Sequence, residues 1–364
     1  MIAFDVFSGC GGLTAGLKRA GFSVIGSIES DADAVETYCL NHPEVKVWNE
    51  DIRTLSSNQL MRTLSIEQGE LDLLAGCPPC QGFCELRTKR RSTSKNVMRD
   101  PQNSLLNNFL CLIEGFLPKA IMLENVPGLQ KGKRISKFMN RIEELGYRGI
   151  HAILDVAAFG VPQRRRRFIM LASRQGDIDF ANPTKHIVTV RKAIGRLPSP
   201  SESRDKLHSI PENRSDEVMQ IIRHIPKDGG SRSSLPPSLV RKCHRLTDGY
   251  KDVYGRMAWD DVSPTITTNF YGPSRGRFLH PDQDRALTIR EGAILQGFPR
   301  KYRFPIHQGK VKLARQIGNA LPPLFIYQQA MAVRTHLVKN DKAARISREP
   351  SARGTAIQSA RQNA

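Results

Sequence analysis

A chain of 364 residues is long enough for one large domain and a second, smaller one. Its 39% apolar and 25% charged residues are ordinary for a soluble protein, and no apolar run approaches the roughly 20 residues that cross a bilayer. Lys and Arg outnumber Asp and Glu by 55 to 35, a net charge of +20. A solvated basic face accounts for a few such charges; the excess points to a polyanionic partner, most simply nucleic acid. Seven cysteines, an odd number, argue against a disulfide framework and for a reducing compartment. The first strand begins at Ile2, which leaves no room for a signal peptide.

Residues 2–7 read as a buried strand. They run into Ser8-Gly9-Cys10-Gly11-Gly12 and a helix over 13–20. Strand, glycine turn and helix is the layout of a nucleoside or dinucleotide site, because glycines admit the ligand and the helix start offers free N–H groups. The spacing departs from G-x-G-x-x-G, so alone it fits a plain tight turn as well. Residues 23–28 form a second strand that ends at Glu29, placed to take ribose hydroxyls. Asp31 caps a helix over 31–41. A short strand over 45–48 precedes Asp51, whose carboxylate is placed to meet an adenine amino group. Each acid alone reads as a surface residue; glycine turn, Glu29 and Asp51 in this order favour an adenosine-type ligand.

Residues 71–75 are a further buried strand, leaving through Gly76-Cys77-Pro78-Pro79-Cys80-Gln81-Gly82-Phe83. The prolines turn the chain sharply and present the Cys80 thiol at the strand's carboxyl end. Cys77, Cys80 and Cys84 also have the look of a metal or redox site, but no second cysteine pair completes a four-ligand set. Cys77 and Cys84 then read as packing residues, as do Cys10, Cys39 and Cys111. Residues 86–99 carry Arg87, Lys89, Arg90, Arg91, Lys95 and Arg99 with no acid and no apolar period. A cationic loop after a nucleophile suits a lid over phosphates better than a solvated loop.

A helix over 102–117 leads to the strand 120–123 and then Glu124-Asn125-Val126-Pro127-Gly128. Glu124 therefore lies on the same sheet edge as Glu29 and Cys80, where open α/β sheets bind ligands. A helix over 133–145 precedes an antiparallel strand pair, 149–156 and 168–172, separated by Gln163-Arg164-Arg165-Arg166-Arg167. Residues 175–260 are rich in Pro, Ser, Arg and His and read as an irregular second domain. A short strand over 264–268, a helical pattern over 285–298 and an apolar helix over 323–337 follow. The tail from Val338 has six basic residues and two acids and reads as disordered.

At Cys80 the chain resembles the DNA (cytosine-5) methyltransferases, S-adenosylmethionine-dependent enzymes of bacterial restriction–modification systems and their orphan relatives. The resemblance covers about 2–172 and 261–335. It rests on Asp5-Val-Phe-Ser-Gly-Cys-Gly-Gly12, Gly76–Phe83, Glu124-Asn125-Val126, Gln163–Arg167, Arg285–Glu291 with Gln296-Gly-Phe-Pro299, and Gln316-Ile-Gly-Asn319. It implies a Rossmann-like α/β methyltransferase sheet with helices on both faces over 1–174, completed by a C-terminal helix 311–337. A smaller, irregular target-recognition domain spans 175–300, and a basic tail spans 338–364.

The resemblance further implies that Phe7, Gly9, Gly11, Pro79, Leu105 and Asn319 line the donor, with Glu29 on its ribose and Asp51 on its adenine. Cys80 is the implied nucleophile and Glu124 engages the cytosine ring, where a partly apolar site raises its pKa. Arg165 and Arg167 hold the target nucleotide, Arg165 at the O2 carbonyl. Arg166 stands where many members carry Glu. DNA contacts are expected from Arg87, Lys89, Arg90, Arg91 and Gln163. Double-stranded DNA is the expected partner, with no metal, no membrane and a monomeric state. A bacterial, nucleoid-associated cytoplasmic location completes the expectation, and a cognate endonuclease is left open. Two other classes fit part of the pattern: a non-catalytic DNA binder, from charge alone, and the family's transfer-RNA-methylating branch. The former has no need of Cys80 with Glu124, and Gln81-Gly82-Phe83 with a long variable domain favours DNA over RNA.

Overall fold

The computed structural model describes residues 1–79, 105–131, 133–241, 244 and 252–348. Its centre is a sheet whose strands are β1 (Ile2–Val6), β2 (Ser23–Ile28), β3 (Lys46–Trp48), β4 (Leu73–Gly76), β5 (Ala120–Asn125), β6 (Arg148–Asp155) and β7 (Arg166–Ser173). The seven strands run in the order β3-β2-β1-β4-β5-β7-β6. Strands β1 to β5 pair in parallel, and β7 enters antiparallel to both β5 and β6. The expected antiparallel closing pair is present, and the strand order is that of a Rossmann-like methyltransferase sheet.

Strands β4 and β5 are buried over their whole length, which explains their unbroken apolar runs. Successive residues point to opposite faces, so Ala3, Leu73 and Met122 serve one core while Phe4, Leu74 and Ile121 serve the other. Helices α1 (Gly12–Arg19), α2 (Ala32–Asn41) and a long C-terminal helix cover the first face. Helices α3 (Ser57–Leu64), α4 (Leu105–Phe116) and α5 (Lys133–Glu144) cover the second through Leu60, Phe109, Ile113, Phe116, Phe138 and Ile142. Asp31 caps α2 as expected, accepting from the Asp33 and Ala34 amides at 3.0 and 3.4 Å. Helix α3 has no counterpart in the sequence reading; Ser56 caps it, and only Leu60 is fully buried.

Beyond β7 the chain is irregular. Among the described residues it forms α6 (Val190–Ile194), α7 (Asp216–His224) and α8 (Ile289–Leu295), with isolated bridges in place of strands. Two apolar clusters hold it: one around Ile222, Tyr254 and Leu279, the other around Phe270, Leu287, Phe298 and Tyr302. The expected strand over 264–268 is not formed. Its backbone pairs with side chains instead: the Ile266 amide donates to Gln163 Oε1 at 2.9 Å, and the Ile266 carbonyl accepts from Arg165.

The expected single C-terminal helix is two, α9 (Gly309–Asn319) and α10 (Pro323–Arg348). Ala320, Leu321 and Pro322 separate them, since each proline of the Pro322-Pro323 pair disfavours helix in the residue before it. Helix α10 also runs on to Arg348, through the start of the stretch expected to be a disordered tail. No helix among the described residues is long and apolar enough to cross a membrane.

Candidate active site

Three parallel strands end side by side. Val6 of β1 pairs with Gly76 of β4, and Gly76 with Leu123 of β5. The next residues, Phe7, Cys77 and Glu124, therefore reach one sheet edge together. Strand β7 runs the other way, pairing Glu124 with Ile169 and Asn125 with Phe168, so it starts where the others finish. That reversal brings Arg167 to Glu124.

Glu124 is 2% exposed. Its Oε1 lies 3.0 Å from Arg167 Nε, and its Oε2 accepts from the Cys77 thiol at 2.9 Å. Burial raises its pKa, against the lowering pull of the Arg167 charge, the Cys77 hydrogen bond and the Arg165 charge; burial wins. A carboxyl held this way keeps a proton above the ordinary carboxylate range. Asn125 beside it donates to the Pro78 carbonyl at 2.9 Å and so steadies the turn that leads to Cys80. Cys80 itself, Cys84 and the cationic residues Arg87, Lys89, Arg90 and Arg91 lie outside the described residues.

The loop after β1 is the second half of the site. Phe7 takes a left-handed φ of 65°, and its amide and that of Ser8 both bind the Ile28 carbonyl. A non-glycine residue in this region costs about 1–3 kcal/mol and persists only where its surroundings impose it. Gly9 and Gly11 follow with φ of 53° and 89°. A Cβ on Gly11 would strike the Tyr302 hydroxyl and the His42 ring, whereas one on Gly9 would meet nothing within 4 Å. The loop thus packs on its Gly11 side and opens on its Gly9 side. Below the opening, the half-buried Glu29 carboxylate accepts from the Gly9 amide at 2.9 Å and the Asp31 amide at 2.8 Å. Burial raises its pKa as well.

Tyr302, far along the chain, donates to the Cys10 carbonyl at 2.6 Å and lies 3.0 Å from His42 Nε2. Cys10 is buried in the core around Phe298 and Tyr302, and desolvation pushes its thiol up to about 12. It packs, as the sequence suggested.

The sequence profile of C-5 cytosine-specific DNA methylases matches residues 1–334. The chain belongs to this family. It is 36% identical over 332 residues to the Type II methylase M.HgiDII of Herpetosiphon aurantiacus, covering 87% of this chain and 90% of the relative. With the Type II methyltransferase M1.HphI of Haemophilus parahaemolyticus it shares 34% over 336 residues, 90% of this chain and 85% of the other. In fold it is similar to a protein assigned as a DNA modification methyltransferase and encoded within an E. coli prophage. The TM-score is 0.71 at 23% identity, over 93% of this chain and 99% of that one. The activity is therefore DNA (cytosine-5) methylation, and the family depends on S-adenosylmethionine.

The loop fits that donor in kind: open space at Gly9, a partly exposed Phe7 and a carboxylate suited to hydroxyl groups. Asn49 binds the Glu29 carbonyl at 2.9 Å and brings the Asp51 segment alongside. Asp51 itself caps the turn Ile52–Thr54 and pairs with Arg53 at 2.5 Å, which holds its pKa down to about 2. Its carboxylate is already engaged within the protein. Pro79 is exposed at the exit from β4, Leu105 is half-buried at the start of α4, and Asn319 is exposed at the end of α9.

Two predicted residues turn inward. Gln163 is fully buried: its amide nitrogen donates to the Leu295 carbonyl at 3.1 Å and Gln296 Oε1 at 2.6 Å, and its oxygen accepts from Ile266. In this structure both ends of the Gln163 amide are engaged inside the protein. Arg165 is 4% exposed and donates to the carbonyls of Ile266 at 2.9 Å and Gly318 at 3.0 Å. Cys77, expected only to pack, is bonded to Glu124. Neither the Cys77–Glu124 hydrogen bond nor the Tyr302–Cys10 contact is written in local pattern, because both depend on which distant segments pack together.

Proposed function

We propose that the protein transfers the methyl group of S-adenosylmethionine to C5 of one cytosine, flipped out of a specific short duplex sequence. The observation that carries this reading is the Glu124 carboxyl, buried and proton-retaining beside Arg167 at the edge where the chain turns toward Cys80. Phe7, Gly9 and Gly11 line the donor, Glu29 holds its ribose, and Pro79, Leu105 and Asn319 close the pocket; Asp51 reaches adenine only by sharing its carboxylate with Arg53. Bound, the donor supplies an electrophilic methyl group.

Cytosine C5 is a poor nucleophile. The Cys80 thiolate adds to C6 and pushes an electron pair toward N3. Glu124 gives N3 a proton, and C5 becomes enamine-like. Arg165, whose charge reaches Glu124, polarises O2. Once the methyl is on C5, loss of the C5 proton to a base such as water expels Cys80 and restores the ring. C6 is inaccessible in a duplex, so extrusion costs a few kcal/mol, offset by phosphate contacts from residues 86–99 and from the exposed Arg164 and Arg166. Residues 175–300 read the target, through the major groove. The enzyme acts as a monomer, with or without a cognate endonuclease, to protect or mark bacterial DNA.

Bisulfite sequencing of DNA incubated with enzyme and donor tests the reading, and conversion-resistant cytosines in one sequence context are expected. None, with the donor shown to bind, overturns it. On duplexes carrying 5-fluorocytosine a covalent complex is expected that vanishes in Cys80→Ala; an adduct that survives moves the nucleophile elsewhere.

A further inference from the structure

Strand register decides the neighbour of Glu124. Gly76 pairs with Leu123 in the parallel β4–β5 ladder, so Cys77 and Glu124 leave the sheet abreast. The Cys77 amide is fixed to the Val6 carbonyl at 3.2 Å, which sets where the thiol points. That thiol donates to Glu124 Oε2 at 2.9 Å. The other oxygen, Oε1, sits 3.0 Å from Arg167 Nε, yet no hydrogen bond is aligned on it among the described residues. The two carboxyl oxygens are therefore unequal. A buried carboxyl that already accepts a donor on one oxygen takes its proton on the other, because a second hydrogen at the first would face the donor's own.

We propose that Cys77 is a positioning residue: its thiol occupies Oε2 and confines the transferable proton of Glu124 to Oε1, the oxygen on the arginine side. This rests on Glu124 as the proton donor to the base. A packing role alone would be met by any small apolar side chain, since Cys77 also touches the core on the α1 face. The two roles differ in what the proton does.

The charged and titratable groups facing Glu124 from the exit of β4 and from the start and approach of β7, among the described residues, are Cys77, Arg165 and Arg167. All three favour the ionised carboxyl and burial opposes them. Deleting the thiol removes one of the three, so the protonated form persists to higher pH. A hydroxyl, a stronger donor than a thiol, acts the other way.

The test is the pH dependence of single-turnover methylation by the wild type, Cys77→Ala, Cys77→Ser and Glu124→Gln, each first shown to bind the donor. The alkaline limb is expected in the order Ala above wild type above Ser. The Ala plateau is expected to fall on the order of tenfold, the scale of one hydrogen bond to a charged group, and Ser to restore it within a few-fold. KM for DNA should stay put. Superimposed limbs in Ala and wild type overturn the proposal, as does an equal loss in Ala and Ser with no shift. If Cys77→Ala does not fold, the Ser limb decides alone: one that does not move to lower pH overturns it. Glu124→Gln at full activity would instead overturn the role of Glu124 itself, whatever Cys77 does.

Discussion

Glu124 is pulled in two directions. Burial asks it to keep its proton; Arg167, the Cys77 thiol and Arg165 ask it to give the proton up. A general acid works best when those demands nearly balance at the working pH. Replacing Arg167 by Ala takes away the nearest cation and lets burial win outright, so the carboxyl holds its proton too firmly. The turnover number is expected to fall about 100- to 1,000-fold, the usual loss for one charged group at a reacting centre, with Arg167→Lys recovering part of it. Single-turnover rates check this, and an Ala variant within a few-fold of the parent would remove Arg167 from the proton's control. A carboxylate closing an apolar strand made Glu124 legible in the sequence, while Arg165 and Arg167 stood out only through the family resemblance. The pairing of Oε1 with Arg167 and of Oε2 with Cys77 was not legible, because both depend on which strand lies next to which.

At the scale of elements, the single reversed strand does most to build the site. Parallel strands alone would put Arg167 at the far end of the sheet; antiparallel β7 begins at the carboxyl edge instead. The run just before it, Gln163 to Arg165, stitches that edge to the segment around Ile266 and to helix α9. Gln163→Ala leaves the Ile266 amide and the Leu295 carbonyl buried without this partner. Such groups cost about 1–3 kcal/mol each, so a clear drop in melting temperature is expected. The salt dependence of DNA binding should not change, because no phosphate contact is lost. A lower salt slope with an unaltered melting temperature would return Gln163 to the DNA surface. The segment Arg285–Glu291 shows how a recognisable motif can be structural. Thr288 and Glu291 form a reciprocal cap on α8, and Arg285 grips Glu291 through two bonds of 2.7 Å. The sequence marked this stretch by resemblance; its physical content is a helix start anchored by an ion pair.

For the whole molecule, composition was a good guide to partner and a poor one to shape. A net charge of +20 pointed to nucleic acid, and the apolar runs placed five parallel strands correctly. The irregular half stayed opaque because its order comes from side chains reaching backbone. Arg256, fully buried, donates to the carbonyls of Ile222, Ile225, His280 and Gln283, a hub that no periodicity announces. The last helix has a consequence for the order of assembly. Phe325, Ile326, Ala330 and Val333 of α10 cover the same face as Leu13 and Leu17 of α1. During synthesis the first helix therefore waits for residues some 300 positions later, on the order of tens of seconds at ribosomal rates. Until then the face under α1 and α2 lacks its outer cover, and a nascent chain in that state is a substrate for chaperones and for aggregation. A chain ended at Pro322 should collect in the insoluble fraction, and fractionation after expression measures it. A soluble, cooperatively melting product would mean that the sheet closes without its final helix.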